Sequence, residues 1–305
     1  RALIGDARND EHVIIAQLHL LFILFHNAVV DSVGDFDKAQ QIVRWHYQWI
    51  VVHDFLPKVV GQAMADCVLA PAFRREYFTW KREPFIPVEF AGAAFRFGHS
   101  MVRDRYALKK PPSEGNPPPS IPLFPDLDGS RWLPQHLVID WERFFDLSEV
   151  LPGADSHRSS LAIDTRISKP LFHLPEGGGA LPLRNLLRGL RLELPSGQEV
   201  ARAMEVNELD DDQLLLDGIK SKTQRKELLR ATPLWYYILC EAEHRSEGAH
   251  LGPVGGRIVA EVILGLLEGD PCSYANAKPA WRPTELGTGC DFTMANLWDT
   301  AQGSG

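Results

Sequence analysis

Chemistry in this chain is best sought first at its histidines and at the few charged residues set among apolar ones. Residues 89–102 read Glu-Phe-Ala-Gly-Ala-Ala-Phe-Arg-Phe-Gly-His-Ser-Met-Val, an apolar, small-residue stretch with one imidazole, His99. A histidine on such a surface is either a haem or metal ligand or a buried ring satisfied by a neighbouring carbonyl. His12, His19 and His26 recur every seven residues, which places them along one stripe of a helix. That stripe either borders a polar or cofactor-bearing cavity or is a helix–helix seam with hydrogen-bonded imidazoles; the seam is preferred for His19 and His26. A single metal shared along the stripe is disfavoured, because two helical turns separate successive rings by about 10 Å. The acidic run Asp210-Asp211-Asp212 reads as a helix N-terminus rather than a metal site. Gly255-Gly256-Arg257 lacks the Lys-Ser/Thr of a phosphate loop, so these glycines read as close packing.

The elements that must position these groups are helical. Pro87 and Glu89 suit the start of a helix over 89–102. Residues 6–32 read as a capped, mostly buried helix, with Arg8 and Glu11 sharing a face at its beginning. Residues 37–60 form a second helical pattern, with Val43, Tyr47, Ile50, Val51 and Phe55 on one side and Pro57 and Gly61 at its end. Shorter helices are expected over 62–67, 134–147, 182–191, 198–206, 208–216, 235–244 and 254–267. The aromatic residues Phe73, Tyr77, Phe78 and Trp80 mark a turn, 111–119 is a proline-rich surface loop, and 301–305 is a frayed tail. Few segments alternate with period two, so the fold class is all-α or nearly so.

The 305 residues are 45% hydrophobic and 24% charged, enough for a full core. A net charge of −8 argues against nucleic acid or an anionic membrane as partner. The most apolar stretch, Val13 to Val30, is interrupted by Gln17, His19, His26 and Asn27, so no membrane span is expected. Four cysteines without CxxC spacing exclude a disulfide scaffold. No signal peptide is read, and localisation and oligomeric state stay open.

Three separated segments resemble one family. Gly5-Asp6-Ala7-Arg8-Asn9-Asp10-Glu11, with Leu18-His19 and His26-Asn27, resembles the distal-side helix of the animal-type haem peroxidases. Phe95-Arg96-Phe97-Gly98-His99-Ser100 is similar to their proximal-histidine helix, and Leu183-Arg184-Asn185-Leu186-Leu187-Arg188-Gly189, continuing to Leu194-Pro195-Ser196-Gly197, to a later proximal segment. The phrasing is closest to the bacterial branch, over about residues 4–285.

The resemblance implies a mainly α, multi-helix peroxidase core with long loops, as one domain over 1–305. It implies haem b, with His99 as axial iron ligand, Asn185 accepting from the other ring nitrogen through its side-chain carbonyl, and Arg188 and Arg96 pairing with propionates. Arg8 would lie over the distal face, where its charge polarises the peroxide bond. Glu11 matches the residue that mammalian members ester-link to a haem methyl. His12 follows it where some relatives carry a linked methionine, so a sulfonium link is excluded.

The family's distal histidine and a calcium loop match no residue here, so the chain is expected to be N-terminally incomplete and, alone, a crippled peroxidase. That histidine's proton transfer is a role worth roughly 10²–10⁴-fold. Arg96 also stands where cyclooxygenase-like relatives have a radical tyrosine, which favours a peroxidase over a fatty-acid dioxygenase. The expected reaction reduces hydrogen peroxide and oxidises a halide, thiocyanate or small organic donor. The alternative is a catalytically silent haem-binding or structural module.

Overall fold

The computed structural model describes residues 4–303 except 112–116, 152, 154–156, 217, 285 and 287–290. In chain order the α-helices are α1 (Val13–Val33), α2 (Phe36–Ile50), α3 (Leu56–Val60), α4 (Gln62–Leu69) and α5 (Val88–Gly92). These are followed by α6 (Leu181–Arg191), α7 (Gly197–Ala203), α8 (Lys222–Arg230), α9 (Leu234–Ser246), α10 (Pro253–Gly269) and α11 (Met294–Gln302). Among the described residues the only sheet pairs Arg105–Tyr106 with Ile121–Pro122, so the chain is mainly α, as its sequence implies. Two compact units emerge: Arg1–Ile50 with Arg103–Ser159 and Ala277–Gly305, and Val51–Val102 with Ser160–Asn276.

The first unit is built on α1, which packs against α2 and α11. Its buried residues Val13, Gln17, Leu21, Phe25 and Val29 fall four apart, one side of a helix. The amide of Gln17 donates to Leu137 O (2.9 Å) and accepts from Ile139 N (2.9 Å), fastening an extended segment to the helix. That fastening corrects the helix expected over 134–147. Backbone groups there go to α1 and to two short 3₁₀ turns, Gln135–Leu137 and Trp141–Arg143.

Helix α1 is less buried than its sequence suggests. Only 28% of its most apolar window is buried, and Ile15, Leu20, Ile23 and Leu24 are exposed. By length and composition alone it is long and apolar enough to cross a membrane, despite the polar residues within it. It also begins at Val13, so Arg8 and Glu11 do not share its first turn. The face of α2 differs too: Ala39, Ile42, His46 and Trp49 are buried while Tyr47 is exposed. The His46 ring donates to Ile42 O (2.8 Å) and packs edge-on to Phe292, so a polar side chain takes a core position that periodicity assigns elsewhere. At the other end, Ala301 is buried in α11, which runs to Gln302; residues 304 and 305 lie outside the described residues. The Pro-rich loop expected over 111–119 likewise falls partly outside them.

The second unit is organised by α9 and α10. Tyr237, Ile238, Val254 and Val259 are fully buried, and a Cβ on Gly255 would lie 2.6 Å from Ile238 Cγ2, so this glycine does serve close packing. The helical pattern over 37–60 ends in this unit as a π-helical turn, Val51–Phe55, followed by α3. Pro57 has no N–H for the carbonyl four residues back, which accounts for the widened turn. Residues 208–216 form turns instead of a helix. Gln213 is the reason: its side chain accepts from Asp210 N (2.9 Å) while its own N–H donates to Asp210 O (3.0 Å). Asp210 to Asp212 therefore begin no helix. Helix α8, capped by Ser221, has no fully buried residue; only Leu228 and Leu229 pack against the core, too few to mark a stripe in the sequence.

Glu241 of α9 ties the two central helices. Its carboxylate, 1% exposed, accepts from Val254 N (3.0 Å) and Gly255 N (3.2 Å) in the first turn of α10. Burial nevertheless outweighs those bonds and pushes this carboxyl from 4.5 up to about 7. Between those values the folded state holds a proton that the unfolded state has released, so this group's contribution to stability falls as pH rises. Glu241→Ala should cost roughly 1–3 kcal/mol by leaving two helix N–H groups unpaired. Glu241→Gln should instead flatten the pH dependence of Tm between pH ~5 and ~8. Thermal denaturation of the three proteins across that range checks both.

Candidate functional site

His99 ends a 3₁₀ helix, Ala94–His99, which follows α5 after a break at Ala93 (φ −136°, ψ −70°). One continuous helix over 89–102 is thereby corrected. The break has a local cause. Arg96 Nε donates to Ala91 O (2.8 Å), and Arg96 N turns back to Ala93 O (2.9 Å). Phe90 and Phe95 stack across the break at 4.6 Å between ring centroids. The small residues serve close approach as expected: a Cβ on Gly92 would meet Leu192 Cδ1 at 2.9 Å, which lets α5 lie against the end of α6.

Asn185 of α6 is fully buried and lies 2.8 Å from His99 Nδ1. Its carbonyl is taken by Arg96, whose Nη1 donates to Asn185 Oδ1 at 3.0 Å. A guanidinium only donates, so Arg96 fixes which end of the amide faces the ring. The Asn185 N–H donates to His99 Nδ1, the reverse of the sense expected from the sequence. Among the described residues His99 Nε2 has no hydrogen-bond partner. Burial, and then the nearby Arg96 charge, hold this imidazole below its usual range. A neutral ring that accepts at Nδ1 carries its proton on Nε2.

Arg188 is exposed and finds no carboxylate among the described residues. It lies close enough to Arg96 to add to the burial that lowers that group's affinity for its proton. Two neighbouring guanidiniums, one of them beside the imidazole and neither with an acidic partner among the described residues, could receive an anion. His99, Asn185, Arg96 and Arg188 are thus one constellation within the second unit.

Arg8, Glu11 and His12 form a separate group in the first unit. Asp6 caps the 3₁₀ turn Ala7–Asn9 and grips Arg8 through Nε (2.9 Å) and Nη2 (2.5 Å). The Arg8 bonds hold the Asp6 carboxyl down at about 2. The Arg8 side chain is 78% exposed and engaged there, rather than held free. Glu11 is exposed, and no hydrogen bond holds its carboxylate. His12 caps α1, its Nδ1 accepting from Ile14 N at 3.3 Å, while its buried Nε2 has no partner. His19 and His26 line an open apolar groove with Phe22, Val43 and Tyr47; His26 meets the Phe36 ring at 5.3 Å. Both lie where α1 meets α2, as a seam would have them; His26 makes a ring contact, and no hydrogen bond holds either imidazole among the described residues. Among the described residues no cluster of three or more metal-ligating side chains exists.

Sequence reading missed what holds Glu11 and His12. Gly129 N donates to Glu11 O (2.8 Å), Ser130 N to Asp10 O (2.6 Å) and Val13 N to Leu127 O (2.9 Å). Backbone groups that a longer α1 would have used are spent on this loop. The available signal was the Asp128-Gly129 turn dipeptide.

A family model described as animal haem peroxidase matches residues 2–297. Heme peroxidase 2 of Caenorhabditis elegans is 28% identical over 290 residues, 88% of this chain and 40% of that protein. Chorion peroxidase of Drosophila melanogaster is 28% identical over 318 residues, covering 96% of this chain and 38% of its own length. Thyroid peroxidase of Homo sapiens is 23% identical over 292 residues, 88% of this chain and 30% of that protein. The chain therefore spans well under half the length of each of these relatives.

A Cβ on Gly129 would fall 1.8 Å from Asp10 O. Gly129→Ala should push the loop off residues 10–12 at a cost of about 1–3 kcal/mol. Hydrogen exchange checks this: the amides of Gly129's replacement, Ser130 and Val13 should lose protection while those of α9 keep theirs.

Proposed function

The chain belongs to the animal haem peroxidase family, and from that premise we propose that it is the haem-bearing part of a peroxidase. It reduces hydrogen peroxide and oxidises a halide, thiocyanate or small organic donor. The observation that carries this reading is the His99 imidazole, met at Nδ1 by the buried Asn185 and without a hydrogen-bond partner at Nε2 among the described residues. A histidine that ligated iron through Nε2 would need its second ring nitrogen fixed by such a partner.

A bound haem b supplies the redox chemistry toward peroxide; the residues here bind and tune it. If Nε2 were to hold iron, the ring proton would have to move from Nε2 to Nδ1 and would require an acceptor there. Asn185 would meet that need by turning its amide so that the carbonyl faces Nδ1. Arg96, so released, would join Arg188 as a cationic partner for propionates. Glu11, an unengaged carboxylate, is the residue for an ester to a haem methyl, and His12 orders the backbone beside it. Arg8 acts on the distal side by exchanging Asp6 for the peroxide oxygens, whose developing negative charge its guanidinium stabilises. Neither the proton-transfer histidine nor any calcium ligand is assigned to a residue of this chain. One observation favours the second reading, a haem-binding module without turnover: Arg8 is already paired with Asp6 through Nε and Nη2.

Haemin titration followed by ferric and ferrous absorption spectra tests the proposal. Saturable binding with a histidine-ligated spectrum is expected, and His99→Ala should abolish it. Asn185→Leu should weaken binding about 10–100-fold, the usual effect of losing the partner of a ligating histidine. Asn185→Asp should lower the haem reduction potential, because a carboxylate accepts more strongly from Nδ1–H and makes the imidazole a better donor. A His99→Ala protein with an unchanged spectrum would sink the assignment.

A further inference from the structure

One side chain in the first unit is placed as no core or capping residue would be. Trp132 is 90% exposed, while the other seven tryptophans are buried or half-buried. Tryptophan is a large, mostly buried residue type, so a bare indole calls for a reason. Trp132 has neither a ring partner nor a hydrogen bond among the described residues. Arg131 and Pro134, either side of it in the chain, line an open pocket of about 420 Å³ with Ile121, Pro122 and His136.

Its connection inward is short and rigid. Two residues before Trp132, Ser130 N donates to Asp10 O at 2.6 Å; the next residue back, Gly129, donates to Glu11 O at 2.8 Å. Asp128 pairs with His12 as an isolated antiparallel bridge. Arg131 donates to Asp126 O, which braces the same loop. Covalent bonds and hydrogen bonds, all within one unit, thus run from an exposed indole to the backbone of Glu11.

We propose that Trp132 is a surface oxidation site through which donors too large to reach the haem are oxidised, phenolic groups on polymers or proteins being the class that fits. The proposal rests on the reading above, in which Glu11 adjoins the haem. The indole gives up one electron along the loop and its N–H proton to water. A phenol then donates an electron and its O–H proton to restore the indole and becomes a phenoxyl radical. Two such steps per peroxide supply two electrons and, from solvent, two protons; the O–O bond breaks and two waters form.

The test uses the haemin-loaded chain, hydrogen peroxide without donor, and a nitroso spin trap, followed by peptide mass spectrometry. The trap should be found on Trp132 in the wild type and be lost in Trp132→Phe. Haem-free protein with the same peroxide should carry no trap at Trp132; labelling there overturns the proposal, because exposure alone would explain it. In kinetics, the ratio of dextran-coupled phenol oxidation to iodide oxidation should fall about tenfold or more in Trp132→Phe. An unchanged ratio, or adducts confined to other residues, also overturns it. A wild type that takes up haemin and oxidises iodide but leaves Trp132 unlabelled sinks this inference alone. A wild type that does not take up haemin sinks the peroxidase reading and this inference with it.

Discussion

The candidate site depends on a residue that cannot accept a hydrogen bond. Arg96 donates to Asn185 Oδ1, which leaves the amide N–H as the only end that can face His99 Nδ1. Asn185 is fully buried, and the one guanidinium that donates to its carbonyl sets which end of the amide faces the ring. Arg96 in turn is positioned by the break at Ala93, which brings its Nε to Ala91 O. The indole N–H of Trp235, on α9, donates to Arg96 O (3.1 Å) and ties the same turn to the core helix. A distorted backbone, one guanidinium and one amide thus place a donor at Nδ1 and leave the ring proton on Nε2.

The same economy of backbone groups governs the first unit. Residues 10–13 could have extended α1 by a turn, and their N–H and C=O groups bond to the 127–130 loop instead. A side chain at 129 would collide with Asp10 O, so only glycine permits the approach. The consequence is a Glu11 whose backbone is held and whose carboxylate is not.

Long apolar patterns bounded by Gly or Pro were legible in the sequence: α4, α6, α9 and α10 lie within two or three residues of expectation, because periodicity and helix punctuation agree there. The link between His99 and Asn185, far apart in the chain, came from resemblance and not from spacing, since nothing local joins the two. What escaped the sequence shares one physical cause, a side chain taking a backbone partner. Gln17 claims 137–139, Gln213 claims 210, and Arg96 claims Ala91, each removing a segment from the helix its composition suggests. The exposed face of α1 also escaped, because apolar composition states what a residue tolerates and not what covers it.

Satisfaction separates structural charge from chemistry in this molecule. Glu241 and Glu261, both about 1% exposed, are acidic and buried, yet each is surrounded by donors. Glu241 accepts from the start of α10, and Glu261 from the N–H groups of residues 76–78 and from Arg257. Burial and perturbed ionisation alone would nominate Glu241 as functional. The full set of hydrogen bonds marks it instead as a fastening between helices. His99 Nε2, the Arg188 guanidinium and the Glu11 carboxylate have the opposite property: each is carried on a well-held backbone and lacks a hydrogen-bond partner among the described residues. Folding gains nothing from such groups, which sets them apart from Glu241 and Glu261 even where burial and charge alone would not.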